Sequence, residues 1–204
     1  IEINWLYVVA GVYFIGMFFF LGKFIRDFWA LQKIFRNQTV ELHGGFKFLD
    51  TNKVQLPFSF FNYIVYNSNH FKKEELENIL EHEKVHSSQM HSADMIISQL
   101  FCIAFWFNPF SWLHKKAIVQ NLEFIADSTA LKAVPDRIIY QKTLLKVSAP
   151  HHCMPITNHF FQSLIKKRIV MLNTDQSKKR NSWKYAIVLP LLTIFMIQFQ
   201  VETI

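Results

Sequence analysis

Three long runs without a charged residue punctuate this chain, separated by polar segments with helical or alternating periodicity. Residues 3–22 (INWLYVVAGVYFIGMFFFLG) form the first, long enough for one helix to cross the hydrocarbon core of a bilayer. Residues 185–201 (YAIVLPLLTIFMIQFQV) are slightly short for a crossing, but Trp183 and Tyr185 stand at the start as interfacial anchors. Residues 95–113 (MIISQLFCIAFWFNPFSWL) are ambiguous, because Asn108-Pro109 interrupts them. No basic segment precedes the first run and no small-residue cleavage site follows it. Lys23 and Arg26 come next, so it reads as a retained span rather than a signal peptide. The chain starts at Ile, and we expect it to be a piece of a longer protein.

Between the spans the pattern predicts a mainly α, membrane-bound fold: a helical core with a small β-hairpin, flanked by transmembrane helices at 1–22 and 185–204. A cytoplasmic helical linker is expected over 23–44, ending at the break Gly44-Gly45. Phe46–Leu49 and Val54–Asn67 read as two strands about the turn Asp50-Thr51-Asn52, a hairpin spanning 46–67. Pro57 lacks an amide donor and therefore belongs at an edge or a bulge. Such an edge could pair with an extended peptide, or the ribbon could simply cover the helices. Polar residues at Ser68 and Asn69 start a helix over 70–90, with Glu74, Glu75 and Glu77 near its positive end. An apolar helical hairpin over 92–134 follows, its second helix running from about Ser111 to Val134 and stopped by Pro135. Shorter helices are expected at 136–147 and 158–173. The core domain is thus 45–148, followed by a cytoplasmic helical segment over 149–184.

Composition and charge sharpen the topology. The chain is 51% apolar with 22 Phe, and the three runs account for this. Its net charge of +7 does not point to nucleic acid, because the basic residues flank the spans. Lys23, Arg26, Lys33 and Arg36 follow the first; Lys178, Lys179, Arg180 and Lys184 precede the last. That is the positive-inside arrangement, which puts residues 23–184 on the cytoplasmic side of a multi-pass membrane protein and both ends outside. Cys102 and Cys153 make no disulfide framework; two lone thiols are what a reducing compartment tolerates.

The chemistry concentrates in His82-Glu83-Lys84-Val85-His86, an H-E-x-x-H string on the helix expected over 70–90. Residues four apart share one helical face, so two imidazoles can grip one metal ion while the intervening carboxylate reaches a bound water. On a helical wheel Leu76, Ile79, Leu80 and Met90 define an apolar arc that includes Glu83, while Glu81 and Lys84 face the solvated side. A carboxylate in a buried stripe is costly unless paired, and a metal with its water would pair it; a satisfied core Glu with two incidental histidines is the plainer alternative. Zinc wants a third protein ligand and a water, and Glu123 is the best candidate. Asp127, four residues on, would hold a ligand histidine through its other ring nitrogen, and Ala126 and Ala130 permit close helix packing. A solvated face would show the same Glu–Asp spacing. Asp94 falls near the apolar arc if the first helix continues, which makes it a second outer partner. His91, His114, His151, His152 and His159 are available but carry no pattern, and no residue can be picked to stabilise an oxyanion.

The metal set constrains the ambiguous run. Were 95–113 a third crossing, His86 and Glu123 would lie about 30 Å apart. A turn at Asn108-Pro109 instead makes a hairpin that dips into the membrane or is buried in the core. Its arms differ by about 10 Å, a mismatch that a break near Ser87–Ser88 or a wide turn absorbs.

HEKVH, then FWFNPFSWLHKKA, then NLEFIADSTAL resembles the membrane-bound metallopeptidases typified by the β-lactam-sensing antirepressor proteins of bacteria. PFSFFNYIVYN and SLIKKRIVMLN are similar to the versions common in Bacteroidetes, and the resemblance covers most of residues 45–200. It implies a gluzincin-type, zincin-like core with one zinc ion per chain on His82, His86 and Glu123, and Glu83 as the catalytic residue. It also implies regulated proteolysis in signal transduction, with a protein or peptide substrate such as the chain itself or a transcriptional repressor. Family members usually carry two further spans upstream, and the sensor domain is not in this sequence. The competing expectation is a non-catalytic signalling or scaffold protein whose zinc site is structural or vestigial.

Overall fold

The computed structural model describes residues 4–36, 38–148, 158–174 and 186–198. The first element, α1 (Trp5–Phe35), is one uninterrupted helix of 31 residues, capped by Asn4, whose side chain accepts a hydrogen bond from the Leu6 amide. At 1.5 Å per residue it is about 46 Å long, so the expected span and the first part of the expected linker are one rod. None of its residues is buried, and it is long and apolar enough to cross a membrane.

The sheet departs from the expected hairpin. Four short strands, β1 (Glu41–His43), β2 (Phe46–Asp50), β3 (Phe58–Phe60) and β4 (Tyr63–Tyr66), lie in the order β1-β2-β4-β3. The pairs β1–β2 and β3–β4 are antiparallel hairpins, whereas β2 and β4 run parallel. Gly44 and Gly45 both take positive φ, 59° and 85°, the conformation a two-residue hairpin turn demands. They are therefore a turn inside the sheet rather than a boundary before it. Residues 51–57 do not continue a strand but carry the crossover, and Pro57 immediately precedes the edge strand β3. The ends are pinned locally: the Thr51 amide donates to the Tyr66 carbonyl (2.9 Å) and the Ser68 amide to Asp50 Oδ1 (3.0 Å). Leu49, Val54 and Val65 form the buried centre, closed by Ile34 and Phe35 of α1 and by Phe58.

A single 3-10 turn (Ser68–His70) leads to α2 (Lys73–Ser88), whose helix start is three residues later than expected. Glu75 Oε2 accepts from the Lys72 amide at 2.9 Å and so caps the first turn. The chain then breaks at Met90, in the left-handed region at φ 55°, before α3 (His91–Ala104). The expected break therefore exists, two residues beyond its predicted place. Met90 consequently leaves the apolar arc assigned to it and is 53% exposed. Asn108 caps α4 (Pro109–Ala130) by accepting from the Phe110 amide at 2.9 Å, with Pro109 in the first helical position. The Asn-Pro pair thus turns the run 95–113 back on itself. Ala126 and Ala130 of α4 pack against Val85 of α2 and Tyr140 of α5 (Arg137–Ser148). The helix α6 (Asn158–Leu172) packs beside α4.

The hairpin tip is fastened to α1. Trp106 Nε1 donates to the Tyr13 carbonyl (3.1 Å), and the Tyr13 hydroxyl donates to the Ala104 carbonyl (2.9 Å). Gly16 permits this approach, since a Cβ there would run into the Trp106 indole. A second compact unit begins at Asn173 and includes the described helix α7 (Val188–Gln198). The anchors Trp183 and Tyr185, the basic cluster at 178–184, Cys153 and the histidines at 151 and 152 lie outside the described residues.

Candidate metal centre

Two successive turns of α2 present His82 and His86 side by side, their Nε2 atoms 3.1 Å apart. From α4, Glu123 reaches both: its carboxylate oxygens lie 3.6 Å from His82 Nε2 and 3.6 Å from His86 Nε2. One ligand atom from each of the three falls within 4.8 Å of the others. Tetrahedral zinc with bonds near 2.05 Å separates its ligand atoms by about 3.3 Å, so the spacing and the N, N, O donor set fit such an ion. The bend at Asn108-Pro109 brings α4 back beside α2 and makes this convergence possible.

Outer contacts orient each donor. His82 Nδ1 lies 3.1 Å from Asp127 Oδ1 and 3.0 Å from the Tyr140 hydroxyl, which itself donates to Asp127 Oδ1 at 2.9 Å. His82 Nδ1–H donating to Asp127 leaves the Nε2 lone pair free for a metal. On the other side, His91 Nδ1 is 2.8 Å from His86 Nδ1, while His91 Nε2 is 3.1 Å from Gln89 Oε1. If Gln89 accepts from Nε2–H, His91 Nδ1 must accept from His86 Nδ1–H, which again frees the inward Nε2. The break at Met90 makes this possible, because it turns α3 so that His91 faces back towards α2.

Asp127 is only 1% exposed, and a bare carboxylate there would be costly. Arg168 of α6 neutralises it through two bonds of 2.7 Å, from Nε to Oδ2 and from Nη2 to Oδ1. Its Nη1 also reaches Glu123 Oε2 at 2.8 Å. One guanidinium therefore ties together the expected third ligand and its neighbour one turn on.

These charges set the proton affinities. Burial pulls His82 down, but the hydrogen bonds to Asp127 and Glu123 outweigh it and raise it to about 9. A metal ion would take the place of that proton. Burial and the nearby His82 lower His86 to about 4. Burial works against the charged form of Asp127, yet the bonds from Arg168 and His82 hold its carboxyl well below the usual range. Burial likewise opposes ionised Glu123, and His82 and Arg168 reverse the sign. Glu83 behaves differently: it is 8% exposed, and burial raises it despite His82 and a hydrogen bond from Ser59 of β3.

The structure brings His82, Glu83, His86, Glu123 and Asp127 together and leaves Asp94 out. Asp94 sits in the first turn of α3 with its side chain exposed, because the break at Met90 ends the helical phase that put it on the arc. Sequence reasoning missed Tyr140 and Arg168 and saw in His91 only an available imidazole. Arg168 lies in the run Lys166-Lys167-Arg168, where spacing does not tell the inward cation from its exposed neighbours. Tyr140 carries no motif.

The profile of the family described as BlaR1 peptidase M56 matches residues 47–172, more than half of the chain and all of the centre just described. No curated protein matches the sequence.

Proposed function

The chain belongs to the BlaR1 peptidase M56 family, and from this we propose that it is a membrane-bound zinc metalloendopeptidase working at the cytoplasmic face. The observation that carries the reading is the meeting of His82, His86 and Glu123 beside a buried Glu83. Zinc on those three side chains supplies a Lewis acid and an acidified water at neutral pH. Glu83, made more basic by burial, accepts the proton of the attacking water and returns it to the leaving amine. Asp127 and His91 fix the ring orientations of His82 and His86, and Arg168 holds Glu123 and Asp127 in register. β3 is an edge strand, and Phe58, Ser59 and Phe60 line the cleft beside Glu83; its backbone can pair with an extended substrate.

In this reading α1 crosses the inner membrane, residues 185–204 make a further crossing, and the tip of the α3–α4 hairpin dips among the lipids. The exposed side chains of Phe105, Phe107, Phe110 and Leu113 support that placement. The biological role is regulated proteolysis in signal transduction, of the chain itself or of a transcriptional repressor. Glu83→Gln should retain about one zinc per chain and lose all cleavage. Metal analysis alongside a self-cleavage assay tests this. Proteolysis surviving in that variant removes Glu83 from the chemistry, and a wild type that binds zinc but cuts nothing favours a structural site.

A further inference from the structure

Resting on the zinc reading of the centre, we infer that Ser87 and Ser92 are positioning residues, which clamp the backbone of Phe61 and so hold His91 against the ligand His86. Among the described residues, Phe61 and Met90 are the two other than glycine with positive φ, at 48° and 55°. That conformation is an outlier for side chains of this size and persists only where the surroundings enforce it. Phe60 pairs with Tyr63, so Phe61 holds the first central place of a two-residue turn, where glycine is the usual occupant. Met90 stands at the break between α2 and α3. The two outliers belong to one joint.

The amide and carbonyl of Phe61 lie outside the strand ladder and need partners elsewhere. Both partners are serines. Ser87, 2% exposed at the end of α2, donates from Oγ to the Phe61 carbonyl. The Phe61 amide in turn donates to Oγ of Ser92, in the first turn of α3, at 2.9 Å. In the sequence each serine directly follows a histidine, as His86-Ser87 and His91-Ser92. The break at Met90 is therefore bridged twice: once by the imidazole pair, 2.8 Å apart, and once by Phe61. Without the second bridge α3 could swing about Met90 and carry His91 away from His86. The hairpin cannot follow such a swing, because α2 packs against both β3 and β4 and Ser59 of β3 hydrogen-bonds Glu83. One turn of the sheet thus fixes the angle between two helices, and that angle sets the ring of a metal ligand.

The test measures zinc affinity of the full chain in detergent by chelator competition, with amide hydrogen exchange followed on the same samples. Ser92→Ala should weaken zinc roughly three- to tenfold, since it acts on the ligand through His91. Ser92→Thr keeps the hydroxyl and should return to within about twofold of wild type. In a His91→Ala background, Ser92→Ala should cost under about twofold, because the ring it positions is gone. Zinc loading of wild type should slow exchange in the β3–β4 hairpin and leave the β1–β2 hairpin unchanged, and Ser92→Ala should remove that protection. Ser87→Ala should repeat the pattern through the other arm, and it carries the test should Ser92→Ala not fold. Equal zinc losses with and without His91, an unchanged affinity, protection that survives Ser92→Ala, or failure of both alanine variants to fold makes the serines plain staples and overturns the inference. A wild type that binds no zinc, or binds it no better than His82→Ala does, instead brings down the zinc reading on which the inference rests.

Discussion

The two ends of the α3–α4 hairpin are built from opposite materials. At the tip, Phe107 and Phe110 are 60% and 73% exposed, and the fastening to α1 uses two hydrogen bonds to backbone carbonyls. At the base, Glu123 and Asp127 are tied to His82, Tyr140 and Arg168 in one network. The tip turns apolar side chains outward and holds to α1 without any charge, through Tyr13, Trp106 and the space left at Gly16. The base tolerates buried charge only because every charge has a placed partner. Damage at the base should therefore be felt in metal affinity and stability, and damage at the tip in membrane insertion.

The largest effect should come from Arg168→Ala, which leaves Asp127 buried without its cation. Unfolding should become easier by about 3–5 kcal/mol and zinc affinity should fall roughly 10–100-fold, read by thermal unfolding and metal titration. Arg168→Lys should recover only part, because an ammonium cannot make the paired bonds to Asp127. Next, Phe110→Asp at the tip should cost about 2–3 kcal/mol of membrane insertion with zinc content unchanged. Reconstitution yield beside metal analysis measures both, and lost zinc would mean that the two ends are not separable. His91→Ala should weaken zinc about tenfold without altering insertion, by freeing the His86 ring to rotate. Smallest is Glu75→Gln on α2. Its carboxylate is held below its ordinary range by hydrogen bonds from Lys146 and from the Lys72 backbone, with some opposition from burial. The lowered folded-state value means that its stabilisation is present above the ordinary carboxylate range and lost as pH falls through the folded value. The substitution should thus cost under about 1 kcal/mol at pH 7 and nothing at strongly acidic pH, measured by denaturant titration at both.

What could be read in advance divides along similar lines. His82, Glu83 and His86 were legible because helical period alone puts them together, and Glu123 because it shares a helical face with Asp127 beside Ala126 and Ala130; the reversal at Asn108-Pro109 was inferred from that ligand set. The sheet was not, since the parallel pairing of β2 with β4 depends on a crossover that no local signal announces. Asp94 was misplaced for one reason: a methionine adopts the left-handed conformation at residue 90, where the sequence offers neither Gly nor Asn. Arg168 lies 41 residues from Asp127, and only tertiary packing distinguishes it from Lys166 and Lys167.

The C-terminal end of α1 has a practical consequence. Ile34 and Phe35 close the buried centre of the sheet, and Phe35 lies against Phe58, Phe60 and Tyr63. Trimming the chain at residue 37 to obtain a water-soluble fragment would strip the lid from Leu49, Val54 and Val65 and invite aggregation. Biochemistry on this molecule should keep the first helix and supply a detergent or nanodisc to shield it.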